Sequence, residues 1–353
     1  MSLLQTLSYR EYKKALALST KQCERLARLA DFNISFSTTN KPGEHLMKEL
    51  DRIGYTVEKY EKLISKLHVR TILTYYKPQS KVAILIANDK YMYLSKLATP
   101  SVDCDSIGAK LQNLGFIVVM IKNTPSFVLK GILRKICECI PEDSYGLVFY
   151  AGHGCQLCNT KCLLGIDCPT ENIQFKDCIT ENFILREMGK CKLELCINIM
   201  DMCRVFLDRN ANPQIYTALS NIEEYGVHNN LLISYSCQSA EAAYEYLQIE
   251  CSTTIDPNVT YELKTGDTDR IVPGASQYVN ALCTRLEDDL DVSTLLDRVH
   301  ADVEHSAKKQ RPLKVQCGVE KRSLYDPAIG DTAALLAKLQ EVSKDFGGCC
   351  TVF

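Results

Sequence analysis

Residues 145–154 read YGLVFYAGHG and residues 197–204 read INIMDMCR. Each is a short apolar run that breaks, at its C-terminal end, into polar and reactive residues. Runs of this kind are strands of a parallel sheet covered on both faces, since a half-exposed strand would alternate apolar with polar positions. Working outward, strands are expected over Val82–Ala87, Phe116–Ile121, Tyr145–Tyr150, Leu193–Met200 and Asn230–Tyr235. Helical periodicity fills the intervals, over Asp103–Leu114, Ser126–Cys139 and Asp177–Met188, and resumes over Gln277–Leu286 and Val292–Val303. Such alternation over about 150 residues predicts an open, mostly parallel α/β sheet, with its chemistry beyond the C-terminal strand ends.

Two of those ends carry reactive groups. One delivers His153 between Gly152 and Gly154, and the other delivers Cys203. A thiol attacks as its thiolate, which needs a nearby imidazole or other positive partner. The same imidazole can later protonate a leaving amine. The flanking glycines would let backbone approach a substrate closely. The amides of Gly154 and Cys203 are the candidate oxyanion donors. Alone, His153 could be a satisfied core residue and Cys203 one more buried thiol. Together, at adjacent strand ends, they read as the base and nucleophile of a cysteine peptidase.

The stretches FYAGHG (149–154) and IMDMCR (199–204) resemble the strand ends of the paracaspases of the mucosa-associated lymphoid tissue lymphoma translocation family. KVAILIANDKYMYLSKLATPSVD (81–103), LLISYSCQSAEAAYE (231–245) and VEKRSLYDPAIGD (319–331) extend the resemblance over roughly 81–331. Caspases keep about 50 residues between histidine and cysteine, a known signature that this chain matches. The resemblance implies a caspase-like, mostly parallel six-stranded sheet flanked by helices, a dimeric active form and cleavage after arginine without a metal or cofactor. Caspases that cut after aspartate place a glutamine two residues before the cysteine; here that position is Asp201. By the same resemblance Asp103, Asp201 and Glu245 would line the arginine pocket, where carboxylates hold a guanidinium and repel an acid. Asp103 could instead cap its helix. Glu245 is the least secure, because one extra residue separates it from Glu241.

Residues 1–77 read as helices only, with Leu16, Cys23, Leu26, Leu29 and Ala30, then Leu46, Leu50 and Ile53, at helical spacing. A further helix is expected from Thr56, with Tyr60, Leu63, Ile64 and Leu67 on one face. HLMKELDRIGYTVEKYEKLISKLHV (45–69) resembles the paracaspase death domain, which implies recruitment by a helical adaptor assembly. Residues 78–80 read as a linker, 81–331 as the peptidase domain, with a polar loop over 250–272, and 332–353 as a C-terminal helix and tail. The immunoglobulin-like domains of the family have no visible counterpart.

A net charge of -2 gives nucleic acid or an anionic membrane little compositional support as main partner. With neither a signal peptide nor an apolar span in view, a cytoplasmic protein is expected, whose 18 cysteines stay reduced. Cys155, Cys158, Cys162 and Cys168 lack the paired spacing of a structural zinc site. The terminal Cys350-Thr351-Val352-Phe353 fits a prenylation box, with Cys349 as a second acylation site and membrane association as the consequence. Two rivals follow from the same residues: a catalytically silent scaffold, and a calcium-dependent metacaspase.

Overall fold

In the computed structural model, residues 3–18, 20–30, 41–68, 74–157, 160–204, 212–220, 229–237, 275–306 and 310–353 are described, with Phe32, Ile34, Phe36 and Thr39. At Cys203 and Arg204 the description is of the backbone. The expected loop over 250–272 and the candidate Glu245 lie outside the described residues, as does Cys158.

The chain divides into two compact units, Met1–Ile72 and Leu73–Phe353. In the first, α1 (Leu3–Thr6), α2 (Tyr9–Leu16), α3 (Thr20–Leu29), α4 (Pro42–Arg52) and α5 (Val57–His68) share a core. Cys23, Leu26, Leu46, Leu50, Tyr60 and Leu63 are buried in it, as their helical spacing predicts. Leu16, expected on the same stripe, is exposed. Gly43 marks where α4 closes on α2, since a Cβ there would lie 2.1 Å from the Ala15 carbonyl oxygen.

The second unit begins ahead of the expected linker. The Tyr75 N–H donates to Asp326 at 2.8 Å, and the Tyr76 ring stacks on Tyr145, so these residues pack with the sheet. Its elements are β1 (Lys81–Ala87), α6 (Pro100–Asn113), β2 (Ile117–Lys122), α7 (Ser126–Cys139), β3 (Tyr145–Leu157) and β4 (Thr160–Leu164). Then follow β5 (Cys178–Thr180), α8 (Glu181–Gly189), β6 (Leu195–Arg204), α9 (Pro213–Ser220) and β7 (Leu231–Tyr235). After these come α10 (Gln277–Arg285), α11 (Val292–Ser306), β8 (Leu313–Cys317), α12 (Thr332–Lys344) and β9 (Cys350–Val352).

The strands run in the order β8-β7-β6-β3-β1-β2-β9. β7, β6, β3, β1 and β2 are parallel neighbours, and β8 joins antiparallel at one edge. These six are the strands that the resemblance implies. Three more enlarge the sheet: β4 and β5 extend it antiparallel from the end of β3, and β9 pairs antiparallel with β2.

The continuous apolar runs are explained by burial on both faces. Val82, Ile84 and Ile86 of β1 enter one core under α7, α8 and α12, while Ala83, Leu85 and Ala87 enter the other under α6, α10 and α11. Each fully buried Ile or Leu stabilises by roughly 1.5–3 kcal/mol.

Residues 332–353 also belong to this unit, so the expected boundary at 331 does not divide the structure. Phe353 and Val118 exchange backbone hydrogen bonds of 2.9 and 3.1 Å. Cys350, 4% exposed, is packed into the core, and burial pushes its thiol up to about 11. Cys349 is half-buried. The residues that fit a prenylation box thus include, in the folded unit, a sheet strand over Cys350–Val352. No helix among the described residues is long and apolar enough to cross a membrane.

Candidate active site

Strands β3 and β6 are neighbours, and their register sets His153 opposite Cys203. Two residues distant in sequence thereby occupy facing backbone positions at the C-terminal end of a parallel pair, where α/β sheets carry their chemistry. Ala151 pairs with Asp201 and Gly154 with Arg204 in the same ladder.

His153 is 5% exposed and its ring is held from one side by the loop after β1. Its Nε2 lies 2.8 Å from the main-chain oxygen of Ser95 and 3.2 Å from the Ser95 hydroxyl. A carbonyl only accepts, so Nε2 carries a proton. The Tyr91 ring leans on the imidazole at 4.6 Å between centroids. The His153 N–H donates to the Tyr91 hydroxyl at 2.7 Å, and the Tyr150 hydroxyl donates to the His153 carbonyl at 2.6 Å.

The loop itself is tied down from the sheet. Asn88 donates to the Leu164 carbonyl and accepts from the Thr124 N–H. The N–H groups of Asp89 and Lys90 both donate to the Asn123 side chain, and Leu97 donates back to the Asp89 carbonyl. The His153 imidazole is therefore held by hydrogen bonds from a loop that is itself fastened to the sheet.

The two flanking glycines are also demanded by the protein's own packing. A Cβ on Gly152 would stand 2.7 Å from the hydroxyls of both Tyr150 and Tyr91. A Cβ on Gly154 would stand 2.5 Å from the Met202 sulfur and 3.1 Å from the Cys162 carbonyl oxygen. Gly152 makes room for the two tyrosines that hold His153, and Gly154 for Met202 and the β4 backbone.

Of the three candidate pocket acids, two come together. Asp103 is in the first turns of α6, 1% exposed, and Asp201 is half-buried near the end of β6. Helix α6 starts at Pro100 after Thr99, so Asp103 does not occupy the capping position. The two carboxylates meet at Ser276. Its N–H donates to Asp103 Oδ1 at 2.7 Å and its hydroxyl donates to Asp201 Oδ2 at 2.7 Å.

The sequence reading missed Ser95, Tyr91 and Ser276. Ser95 and Tyr91 lie in a stretch that carried the family resemblance, but a backbone carbonyl leaves no mark on residue identity. Ser276 followed by a helical period was legible only as a cap. Cys155 and Cys162 face each other across the β3–β4 pair within an apolar cluster that also holds Cys168 and Cys178. Among the described residues no group of three or more His, Cys, Asp or Glu is placed to hold a metal ion.

A parallel sheet that sets a histidine and a cysteine opposite each other at adjacent strand ends, with the imidazole pinned through Nε2, defines a caspase-like peptidase fold. The Caspase domain family matches residues 80–323, more than half of the chain, and the chain belongs to that family. It is 27% identical over 256 residues to human mucosa-associated lymphoid tissue lymphoma translocation protein 1, and 27% identical over 269 residues to the mouse homolog. These matches cover 71% and 74% of this chain but 27% and 29% of the relatives, so the chain is paracaspase-like in its peptidase unit and spans a minor part of their length. The crystal structure of protein GSU0716 from Geobacter sulfurreducens shares the fold, with TM-score 0.51 and 10% identity, over 71% of this chain and all of that one.

Proposed function

We propose that this protein is a cysteine endopeptidase that cuts protein substrates after arginine. The observation that carries the reading is the register of His153 opposite Cys203, with Nε2 bound to the Ser95 carbonyl. The Cys203 proton passes to His153 Nδ1, and the thiolate attacks the scissile carbonyl carbon. The amides of Gly154 and Cys203 hold the oxyanion. Collapse of the tetrahedral species breaks the C–N bond, and the imidazolium gives its proton to the departing amine. Water, deprotonated by His153, then hydrolyses the thioester and returns the thiol.

Asp103 and Asp201 select the residue before the cut, since two carboxylates attract a guanidinium and repel an aspartate. Glu245 is retained as a third pocket acid on the family resemblance. Among the described residues β8 is an edge strand, with Leu313 39% and Val315 44% exposed, which supports dimerisation through the peptidase unit. The N-terminal helical unit serves as a death-domain-like recruitment module for adaptor proteins in a signalling assembly. The protein works in the cytoplasm, and a lipid on Cys350 would hold it at a membrane only in a state where β9 has left β2, whereas Cys349 lies just ahead of that strand.

A fluorogenic peptide ending in arginine tests the activity. Wild type should cleave it, Cys203→Ala and His153→Ala should lose at least about a thousandfold, and an aspartate version should resist. Preferred cleavage of the aspartate peptide, or equal turnover by Cys203→Ala, would overturn the reading.

A further inference from the structure

Ser276 stands at the junction of three elements. It is the N-cap of α10, its hydroxyl oxygen accepting the Val279 N–H at 3.2 Å. The same hydroxyl donates its single proton to Asp201 on β6, and the Ser276 N–H donates to Asp103 on α6. Ser276 takes no part in the proton transfers or the oxyanion contacts proposed for Cys203 and His153.

We infer that Ser276 is the positioning residue of the arginine pocket, fixing Asp103 and Asp201 as a preorganised pair that receives the guanidinium. This rests on the arginine reading of those two acids. Like charges brought together repel and disfavour joint ionisation. Donors aimed at each carboxylate favour the charged form, and the N-terminal end of α10 adds a positive potential. Because the Ser276 oxygen already accepts the Val279 N–H, its proton is directed to Asp201 and the carboxylate orientation is fixed. A carboxylate held in place before binding loses less freedom when arginine arrives. The bidentate geometry of a guanidinium gains from such fixing, whereas lysine, a compact point charge, gains less.

The test compares Ser276→Ala, Ser276→Thr and wild type as full-length chains on matched peptides with arginine or lysine before the cut. Ser276→Ala removes the hydroxyl bonds and keeps the N–H to Asp103; Ser276→Thr keeps all three. For Ser276→Ala we expect KM for the arginine peptide to rise about tenfold with kcat within threefold, and the arginine-to-lysine preference to fall by at least threefold. Ser276→Thr should restore both. Melting temperatures of all three variants separate this effect from loss of the helix cap, which Ser276→Ala also removes. If Ser276→Ala fails to fold, Ser276→Asn, which keeps the cap acceptor and brings an amide donor, replaces it, with an intermediate KM expected. Wild-type KM and preference in the folded variant that lacks the hydroxyl, or in Ser276→Asn, would overturn the role of Ser276. A wild type that does not prefer arginine would instead sink the pocket assignment itself.

Discussion

The main-chain oxygen of Ser95 and Nε2 of His153 are 2.8 Å apart, and the loop that carries Ser95 is fastened by Asn88 to Leu164 and Thr124. The imidazole is thus oriented by a carbonyl, and no side chain is needed for that contact. Ser95→Ala should keep kcat/KM within about threefold of wild type, because the carbonyl remains. Asn88→Ala, which releases the loop, should lower kcat by about tenfold or more. Steady-state kinetics on one arginine peptide decides, and a Ser95→Ala variant as impaired as His153→Ala would assign the effect to the hydroxyl.

Tyr91→Phe removes the acceptor of the buried His153 N–H. An unsatisfied buried donor costs about 1–3 kcal/mol, so thermal unfolding of the peptidase unit should fall by roughly 2–10 °C. Calorimetry checks this, and an unchanged melting temperature would show that another group takes the hydrogen.

Gly154→Ala should destabilise by about 1–3 kcal/mol through overpacking against Met202. Shortening the neighbour separates packing from backbone effects. In a Met202→Ala background the same glycine substitution should cost less, a coupling readable from a double-mutant cycle in denaturant. Strict additivity would point to the Cys162 carbonyl as the obstacle.

His300 on α11 is half-buried against Ser234, which lies 2.7 Å from its Nε2, and desolvation pulls its pKa down to about 4. Tyr278 flanks the ring, Asp297 opposes the shift and Lys314 reinforces it. The folded state resists protonation that the unfolded chain accepts near 6.5. The unfolded chain therefore binds more protons between those values, and stability rises with pH across that window. Acidification from about pH 6.5 to 4 should remove up to roughly 3 kcal/mol through this group. His300→Gln should flatten the corresponding part of a urea-midpoint profile, and an unaltered slope would acquit the imidazole.

The parallel core was legible because burial on both faces leaves unbroken apolar runs such as 82–87 and 145–150. The segment Ser126–Cys139 is helical at the limits its periodicity sets. The strands β3 and β6 run further than expected, to Leu157 and Arg204, because backbone pairing continues through polar residues that hydropathy reads as loop. The convergence of Asp103 and Asp201 was suggested by resemblance; the serine that joins them was not. It follows a stretch whose length the sequence does not relate to distance in space. Likewise β9 was hidden, since three residues near a terminus carry too little pattern to announce a strand.

That last strand has a practical consequence. Without Cys350–Phe353 the backbone of Val118–Ile121 in β2 becomes a bare, apolar rim, the sort of surface on which chains stack. Removing Cys350–Phe353 should thus leave a chain that self-associates through that rim more readily than the intact one.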